Sequence, residues 1–253
     1  MRIQGRRLEG QIVLVTGSTR GIGAAMATAF AAEGAAVVVT GRSAAAGKAV
    51  VSAIRARDGQ ATYVPLDVTD EASVSACVHR AVATYGWLTG LVNNAAWVQG
   101  RSQADGRVTD ITLEGWEQVL RICLTGVFLT SKHAIPEIVK AGGGAVLNIA
   151  SIAALVGHRG RDAYTAAKGG VVSLTRSMAV EYAADNVRVN CLCLGPTPTD
   201  GAPAPREDIR YGRPDEVAQV ATLFLSPESV HLNGTVLPVD GGLSATSPYQ
   251  PAR

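Results

Sequence analysis

Short runs of apolar residues alternate along the chain with longer stretches in which apolar positions recur at helical spacing. The runs that end near residues 16, 40, 66 and 92 are continuous in valine, leucine and isoleucine, a pattern typical of strands buried on both faces. The pattern predicts strands at Ile12–Thr16, Ala36–Thr40, Tyr63–Leu66, Leu88–Val92, Ala145–Ala150, Val187–Leu192 and Thr235–Val239.

Helices are predicted at Ile22–Glu33, Ala44–Arg57, Glu71–Tyr85, Leu113–Lys140, Asp162–Ala184 and Pro214–Leu225. The longest of them is expected to bend near Pro136, because proline disturbs helix geometry. This alternation predicts an α/β fold whose parallel sheet has right-handed crossovers. Because ligands in such sheets bind beyond the carboxyl ends of the strands, functional residues are expected just after each strand.

No linker divides the chain, so we predict a single domain over residues 1–253. Its core is expected at about residues 8–243, with residues 244–253 as a loosely held tail. Two segments, Gln99–Thr109 and Gly195–Tyr211, have an irregular pattern and follow strand regions. They either border a binding cleft or are ordinary surface loops.

Composition excludes several classes of function. Hydrophobic residues make up 47% of the 253 residues, enough for a large core, and the net charge of +2 is too small to indicate nucleic-acid binding. No apolar run reaches the roughly 18 residues of a membrane span. The N-terminus has no apolar signal stretch, so a cytoplasmic protein is expected. The cysteines are expected to be buried apolar residues, without a metal or disulfide role: Cys77, Cys123, Cys191 and Cys193.

A glycine-rich stretch, TGSTRGIG at Thr16–Gly23, follows the first predicted strand and opens the first helix. Without Cβ atoms at Gly17, Gly21 and Gly23, a pyrophosphate could approach the backbone. The helix N-terminus adds free N–H groups and a partial positive charge. The alternative is a tight turn without a ligand.

Tyr164 and Lys168 lie four residues apart in a predicted helix, so both project from one face. A free tyrosine has a pKa of about 10 and is a poor proton donor at neutral pH. An ammonium about 4 Å from a phenol would stabilise its phenolate by roughly 4 kcal/mol at an effective dielectric near 20. The two residues form either an acid/base pair or an exposed surface pair.

Several ordered motifs, taken together, resemble the short-chain dehydrogenase/reductase family, in particular its 3-oxoacyl-reductase-like and secondary-alcohol dehydrogenase members. The resemblance runs from about Leu8 to Leu243. It rests on TGSTRGIG, Asp67-Val68, NNAA at Asn93–Ala96, Ser151, YTAAK at Tyr164–Lys168 and VDGG at Val239–Gly242. It implies one Rossmann-like domain, a doubly wound parallel sheet of about seven strands flanked by helices, a nicotinamide cofactor and a homo-oligomer, either tetramer or dimer.

The resemblance also implies roles for individual residues. Tyr164 is expected to be the acid/base, Lys168 to hold the nicotinamide ribose, and Ser151 to hydrogen-bond the substrate oxygen. The G-x-S-x-G signature of hydrolases is absent around Ser151, so a nucleophilic role is not expected. The expected cofactor-binding residues are Gly17, Thr19, Arg20, Gly21, Ile22, Gly23, Arg42, Asp67, Val68, Asn93, Ala95, Tyr164, Lys168, Gly195, Thr197 and Thr199.

Within that set, Asp67 is expected to receive the adenine amino group, although it could instead cap the helix that begins near Asp70. Asn93 is expected to steady the strand end, and Thr199 to contact the carboxamide.

The residues at the end of the second predicted strand indicate which nicotinamide cofactor the protein prefers. NAD-preferring sites place Asp or Glu there to bind the ribose hydroxyls, whereas this chain has Gly41 followed by Arg42. A guanidinium can bind a 2′-phosphate, and Arg20 could add a second cation. We therefore predict NADP(H) rather than NAD(H). The alternative is that Arg42 is a solvated residue at the start of the next helix.

Three positions depart from the family pattern: Cys123 stands where an asparagine is usual, Ala96 where a glycine is usual, and Leu194 where a proline is usual. The leading hypothesis is an NADP(H)-dependent oxidoreductase that acts on a ketone or secondary alcohol as its small-molecule substrate. One alternative is a cofactor-binding homologue with weakened catalysis and a structural or regulatory role; another is dehydration or epimerisation on the same fold. His158 and Arg159 either face an acidic substrate or are rim residues.

Overall fold

A seven-stranded parallel sheet forms the centre of the structure, a computed structural model that describes residues 6–97, 104–198 and 210–245. The strand order is β3-β2-β1-β4-β5-β6-β7, with parallel pairing throughout. The strands are β1 (Ile12–Val15), β2 (Ala36–Gly41), β3 (Gln60–Pro65), β4 (Gly90–Asn93), β5 (Gly144–Ser151), β6 (Val187–Leu194) and β7 (Val236–Val239). The predicted α/β class and parallel sheet are confirmed.

Helices cover both faces of the sheet: α1 (Gly21–Ala32), α2 (Ala44–Arg55), α3 (Glu71–Tyr85), α4 (Leu113–Leu120), α5 (Gly126–Lys140), α6 (Asp162–Glu181) and α7 (Pro214–Leu225). On one face, α1, α2 and α7 bury Phe30, Ile54 and Phe224 against the strands. On the other face, α3 and α5 bury Val74 and Ile135. Burial from both sides explains why the strands are continuously apolar.

The long predicted helix between residues 113 and 140 contains a change of geometry that the sequence did not predict. Residues Arg121–Thr125 form a π-helical segment between α4 and α5. Pro136, where we predicted a bend, lies within α5, which continues to Lys140. A π-helical turn accommodates an additional residue, and such turns often lie at functional sites. Cys123 lies in this segment and is fully buried.

The same stretch, Leu113–Lys140, is long and apolar enough to cross a membrane by length and composition alone, with a mean hydropathy of 1.2 over 18 residues. Half of that window is buried inside the fold. Its α5 part packs against α3 and the sheet, so its apolar composition is that of a core helix.

The strand order reverses at β1, which pairs with β2 on one side and β4 on the other. The chain leaves β3 at one edge and crosses back to form β4. In such sheets a crevice opens beyond the carboxyl ends of the two strands at this switch point. The segments that follow β1 and β4 therefore meet where a ligand is expected.

Candidate active site

The glycine-rich turn after β1 packs closely against the segment after β4. Gly17 has φ 63°, and a Cβ there would lie 2.9 Å from the Cα of Ala95. A Cβ on Gly23 would lie 2.6 Å from Nδ2 of Asn94. Larger residues at these two positions would therefore push the two segments apart.

Asn94 holds these two segments together, although a role was predicted only for its neighbour Asn93. The Nδ2 of Asn94 donates to the carbonyl oxygens of Thr16 (2.9 Å) and Gly17 (3.1 Å). The Thr16 hydroxyl accepts hydrogen bonds from the backbone N–H groups of Asn94 and Ala95, each at 2.9 Å. The two consecutive asparagines of the NNAA motif could have indicated a role for Asn94, but the sequence does not tell which of the two side chains faces the turn.

Asn93 lies inside the fold. Its Nδ2 donates to Oδ1 of Asn148 (2.8 Å) and to Oγ of Ser131 (3.1 Å), and its Oδ1 accepts from the hydroxyl of Thr130. Its side chain is 2% exposed. Asn93 thus ties the end of β4 to β5 and α5.

The start of α1 presents features that suit an anion. Arg20 precedes the helix with extended backbone, and its side chain makes no cap hydrogen bond to the described first turn. That first turn, which includes Gly21, Ile22 and Gly23, carries no acidic residue. Arg20 is exposed and Thr19 is half-buried. A pyrophosphate could use both the backbone N–H groups and the helix dipole here.

Arg42 and Asp67 lie after β2 and β3, whose carboxyl ends are adjacent. Asp67 Oδ1 accepts hydrogen bonds from the N–H and the hydroxyl of Thr69 at 2.9 and 2.7 Å. Burial alone would raise the pKa of Asp67, but the hydrogen bonds from Thr69 and the charge of Arg42 hold that pKa below its ordinary value. The carboxylate is therefore ionised at neutral pH.

The residues around this pair also show which aspartate caps the next helix. Asp70, not Asp67, caps α3 by accepting from the N–H of Ala72 at 3.0 Å. Ser43 caps α2, and Arg42 before it is exposed beside Asp67. The side chain of Val68 is buried, and a Cβ on Gly126 would lie 2.9 Å from its Cγ2. Only the backbone of Val68 therefore remains for a cofactor contact.

The structure brings Tyr164 and Lys168 together on one buried face of α6. The Nζ atom of Lys168 lies 5.8 Å from the centroid of the Tyr164 ring. Tyr164 is 9% exposed and Lys168 is 2% exposed. Lys168 Nζ donates to the carbonyl oxygen of Ile149 at 2.8 Å, so it reaches the end of β5 near Ser151. These positions exclude the alternative of an exposed surface pair.

Ser151 is the last residue of β5, and its hydroxyl accepts a hydrogen bond from the N–H of Ala153 at 3.2 Å. Tyr164 packs in an apolar cluster on the same side of the fold. The cluster comprises Ala104, Val119, Cys123, Ala153, Ala163, Tyr164 and Ala167, with Ala96, Trp97 and Trp116 packed against it. A substrate beside Tyr164 would therefore meet mainly apolar groups.

The remaining predicted positions lie after β6. A Cβ on Gly195 would lie 2.7 Å from the Cα of Asp240, so Gly195 is pressed against the chain after β7. The hydroxyl of Thr197 donates to the carbonyl oxygen of Gly195 at 3.2 Å. Thr199 lies outside the described residues.

His158 and Arg159, between β5 and α6, are exposed. Partial desolvation and the charge of Arg161 lower the pKa of His158.

The four cysteines are buried, as predicted, and are free thiols. Burial raises the pKa of Cys77 to about 12. A hydrogen bond with Cys191, together with burial, raises the pKa of Cys193, so that thiol stays protonated. Among residues 6–97, 104–198 and 210–245, no three metal-ligating side chains come together.

Comparisons with known proteins agree with this architecture. A family model described as "Enoyl-(Acyl carrier protein) reductase" matches residues 17–244. The chain is 39% identical over 252 residues to the cis-4-hydroxycyclohexanecarboxylate dehydrogenase of Sinomonas cyclohexanicum, covering 95% of this chain and 99% of that protein. It is 34% identical over 248 residues to a 3-oxoacyl-[acyl-carrier-protein] reductase of Thermotoga maritima, covering 94% and 99%.

A similar relation holds to a 2,5-dichloro-2,5-cyclohexadiene-1,4-diol dehydrogenase of Sphingobium indicum, which is 35% identical over 249 residues, covering 94% and 98%. The structure of a short-chain type dehydrogenase/reductase from Mycobacterium ulcerans superposes with a TM-score of 0.88 at 31% identity, covering 94% of this chain and 91% of that chain. The chain therefore belongs to the short-chain dehydrogenase/reductase family, whose members are oxidoreductases that bind a nicotinamide cofactor.

Proposed function

We propose that this protein is an NADP(H)-dependent oxidoreductase that interconverts a ketone and a secondary alcohol, with Tyr164 as its acid/base. The observation that carries the proposal is the pairing of Tyr164 with Lys168 on one buried face of α6, beside the strand that ends at Ser151. A pair with a purely structural role would not need the hydroxyl of Ser151 at the end of that strand.

The residues present fit a dinucleotide. The glycine-rich turn packs so closely against the segment after β4 that a Cβ at Gly17 would not fit, and the helix that follows offers N–H groups to a pyrophosphate. Asp67 and Ala95 would line the adenine and ribose parts, with Gly195 and Thr197 nearer the nicotinamide. The bound nicotinamide supplies or accepts the hydride.

Two features favour a cofactor with a 2′-phosphate. Arg42 is exposed at the end of β2, where it can form charge-assisted hydrogen bonds to a phosphate. A Cβ on Gly41 would lie 2.8 Å from Cγ2 of Thr19, so an Asp or Glu at that position would require Thr19 to move. The crevice therefore carries a cation, and Gly41 contributes no carboxylate, where the 2′ position is expected.

In the reductive direction, negative charge develops on the carbonyl oxygen of the substrate, and Tyr164 donates its phenolic proton to that oxygen. The ammonium of Lys168 stabilises the phenolate that remains. The hydroxyl of Ser151 donates a hydrogen bond to the same substrate oxygen and stabilises its charge. In the oxidative direction, the phenolate of Tyr164 takes the proton from the alcohol.

The substrate we propose is a cyclic secondary alcohol or the corresponding ketone. Two relatives are named for dehydrogenation of ring alcohols, a hydroxycyclohexanecarboxylate and a dichlorocyclohexadienediol. The apolar cluster around Tyr164, with Ala153 and Trp97, suits the carbon skeleton of such a ring.

A homo-oligomer and a cytoplasmic location stay predictions. Exposed apolar side chains, those of Leu237 on edge strand β7 and Val180 on α6, support a homo-oligomer.

The test is turnover of a panel of cyclic ketones and alcohols, followed by the absorbance of the reduced nicotinamide, in wild type and Tyr164→Phe. We expect Tyr164→Phe to lose roughly 100- to 10,000-fold in kcat while it still binds cofactor. The control is Tyr182→Phe, at the C-terminal end of the same helix, which should retain activity.

Equal turnover by Tyr164→Phe and wild type would contradict the proposal. Tight cofactor binding by a wild-type protein that turns over no carbonyl or alcohol would instead favour the homologue with weakened catalysis. The burial of Cys123 beside Tyr164 is the observation behind that second candidate.

A further inference from the structure

The start of helix α6 is capped by a distant segment of the chain. Arg161, the residue before the helix, provides no side-chain cap. The N–H of Asp162 donates to the carbonyl oxygen of Gly106 at 3.1 Å. The next two N–H groups, those of Ala163 and Tyr164, donate to Oδ1 and Oδ2 of Asp105 at 3.0 and 3.2 Å. Both carboxylate oxygens of Asp105 therefore bind the first turn of α6.

The contact is reciprocal. Asp162 Oδ2 accepts a hydrogen bond from the N–H of Val108 at 2.8 Å, and Asp105 Oδ1 also accepts from the N–H of Gly106 at 3.0 Å. Each carboxylate thus binds backbone N–H groups of the opposite segment. A helix N-terminus favours negative charge, so both carboxylates suit this position electrostatically.

The same segment also contacts α4. A Cβ on Gly115 would lie 2.8 Å from the carbonyl oxygen of Ala104, so α4 approaches the segment as closely as a glycine allows. Ala104 is buried in the apolar cluster that contains Tyr164. Asp105 therefore connects one wall of that cluster to the backbone N–H of Tyr164 itself.

We propose that Asp105 is a positioning residue. It fixes the backbone of Tyr164, and with it the direction of the phenol, relative to Ser151 and to the apolar cluster that a substrate would contact. This inference rests on the proposed function of Tyr164 as the acid/base. Proton transfer requires the phenol within hydrogen-bond reach of the substrate oxygen, and a displacement of about 1 Å can reduce the rate by about 100-fold. Removing the carboxylate releases the N–H groups of Ala163 and Tyr164.

The experiment compares Asp105→Ala and Asp105→Asn with a matched control. Asp70→Ala also removes an aspartate that caps a helix, but at α3. We measure kcat per cofactor-binding site, substrate KM, cofactor Kd and thermal unfolding. Asp105→Ala should lose about 10- to 100-fold in kcat with cofactor Kd unchanged. Asp105→Asn retains one acceptor oxygen and should lose less. Asp70→Ala should lower the unfolding temperature but keep kcat.

Wild-type kcat per site in Asp105→Ala would overturn the inference, as would an equal loss in Asp70→Ala or a parallel rise in cofactor Kd. If Asp105→Ala does not fold, Asp105→Asn decides by the same criteria. Tyr164→Phe is assayed alongside. An inactive Tyr164→Phe with a fully active Asp105→Ala overturns this inference alone, whereas an active Tyr164→Phe overturns the proposed function.

Discussion

The side-chain amide of Asn94 donates hydrogen bonds to the carbonyl oxygens of Thr16 and Gly17, and so joins the segments that follow β4 and β1. These segments border the switch point of the sheet from opposite sides. The shape of the crevice therefore depends on one side chain that bridges them.

Replacing Asn94 by alanine should leave those carbonyl oxygens without their partner. We expect a loss of about 1–3 kcal/mol in the free energy of unfolding and a weaker affinity for cofactor. Asn233→Ala is the control, because Asn233 also bridges two segments, through Val189 and Ala179, but away from the crevice. Urea unfolding and cofactor titration separate the two effects; unchanged cofactor affinity in Asn94→Ala would contradict the assigned role.

Gly17→Ala tests the close approach between the two segments. Gly17 and Gly10 both have positive φ, 63° and 76°, so alanine is strained at either position. A Cβ at Gly17 also meets Ala95 at 2.9 Å, whereas no described atom lies within 4 Å of one at Gly10. Gly17→Ala should therefore weaken cofactor binding by about 10-fold or more, and Gly10→Ala should not. Equal cofactor Kd values in the two variants would contradict this.

Arg42→Ala tests the choice of cofactor. Loss of a charge-assisted hydrogen bond to a phosphate is worth about 1.5–3 kcal/mol, so the ratio of kcat/KM for NADP(H) to that for NAD(H) should fall roughly 10- to 100-fold. Arg57→Ala removes an exposed arginine beyond the end of α2 and should leave the ratio unchanged. An unaltered ratio in Arg42→Ala would mean that Arg42 is only a solvated residue.

The pair of Arg7 and Glu33 should make stability depend on pH. Arg7 Nη2 donates to Glu33 Oε1 at 2.8 Å, and the two side chains are only 21% and 23% exposed. The hydrogen bond from Arg7 lowers the pKa of Glu33 in the folded protein. The stabilisation is therefore present above the unfolded-state pKa and is lost as pH falls through the folded-state pKa.

Glu33→Gln should accordingly reduce the free energy of unfolding by about 1 kcal/mol near neutral pH and by almost nothing at a pH of about 2. Denaturant unfolding across that range measures the difference. The control is Glu9→Gln, which removes a pair with Arg6 whose side chains are 61% and 65% exposed. A constant difference between Glu33→Gln and wild type at all pH values would refute the linkage.

The local pattern of apolar residues predicted most of the fold, because strands that are buried on both faces of the sheet are continuously apolar in sequence. The proximity of two side chains was predicted where the residues lie close in sequence, as with Tyr164 and Lys168. The link from Asp105 to Tyr164 joins residues 59 apart, so no local pattern reveals it. The sequence also cannot tell which of Asn93 and Asn94 faces the crevice, because that depends on where β4 ends.

The π-helical segment Arg121–Thr125 was missed because a few residues at wider spacing barely alter an apolar periodicity. Its position has a consequence for insertions and deletions. Each residue of an α-helix advances the rotation by about 100°, so a further residue inserted between α4 and α5 would turn one half around the common axis, whereas the π-helical turn can lose the additional residue that it holds. An in-frame loss of a single codon here would convert the π-helical turn into a regular α-helical turn and keep Leu129, Ile135 and Ile138 against the sheet, whereas the gain of one codon would turn them away even though none of them had been changed.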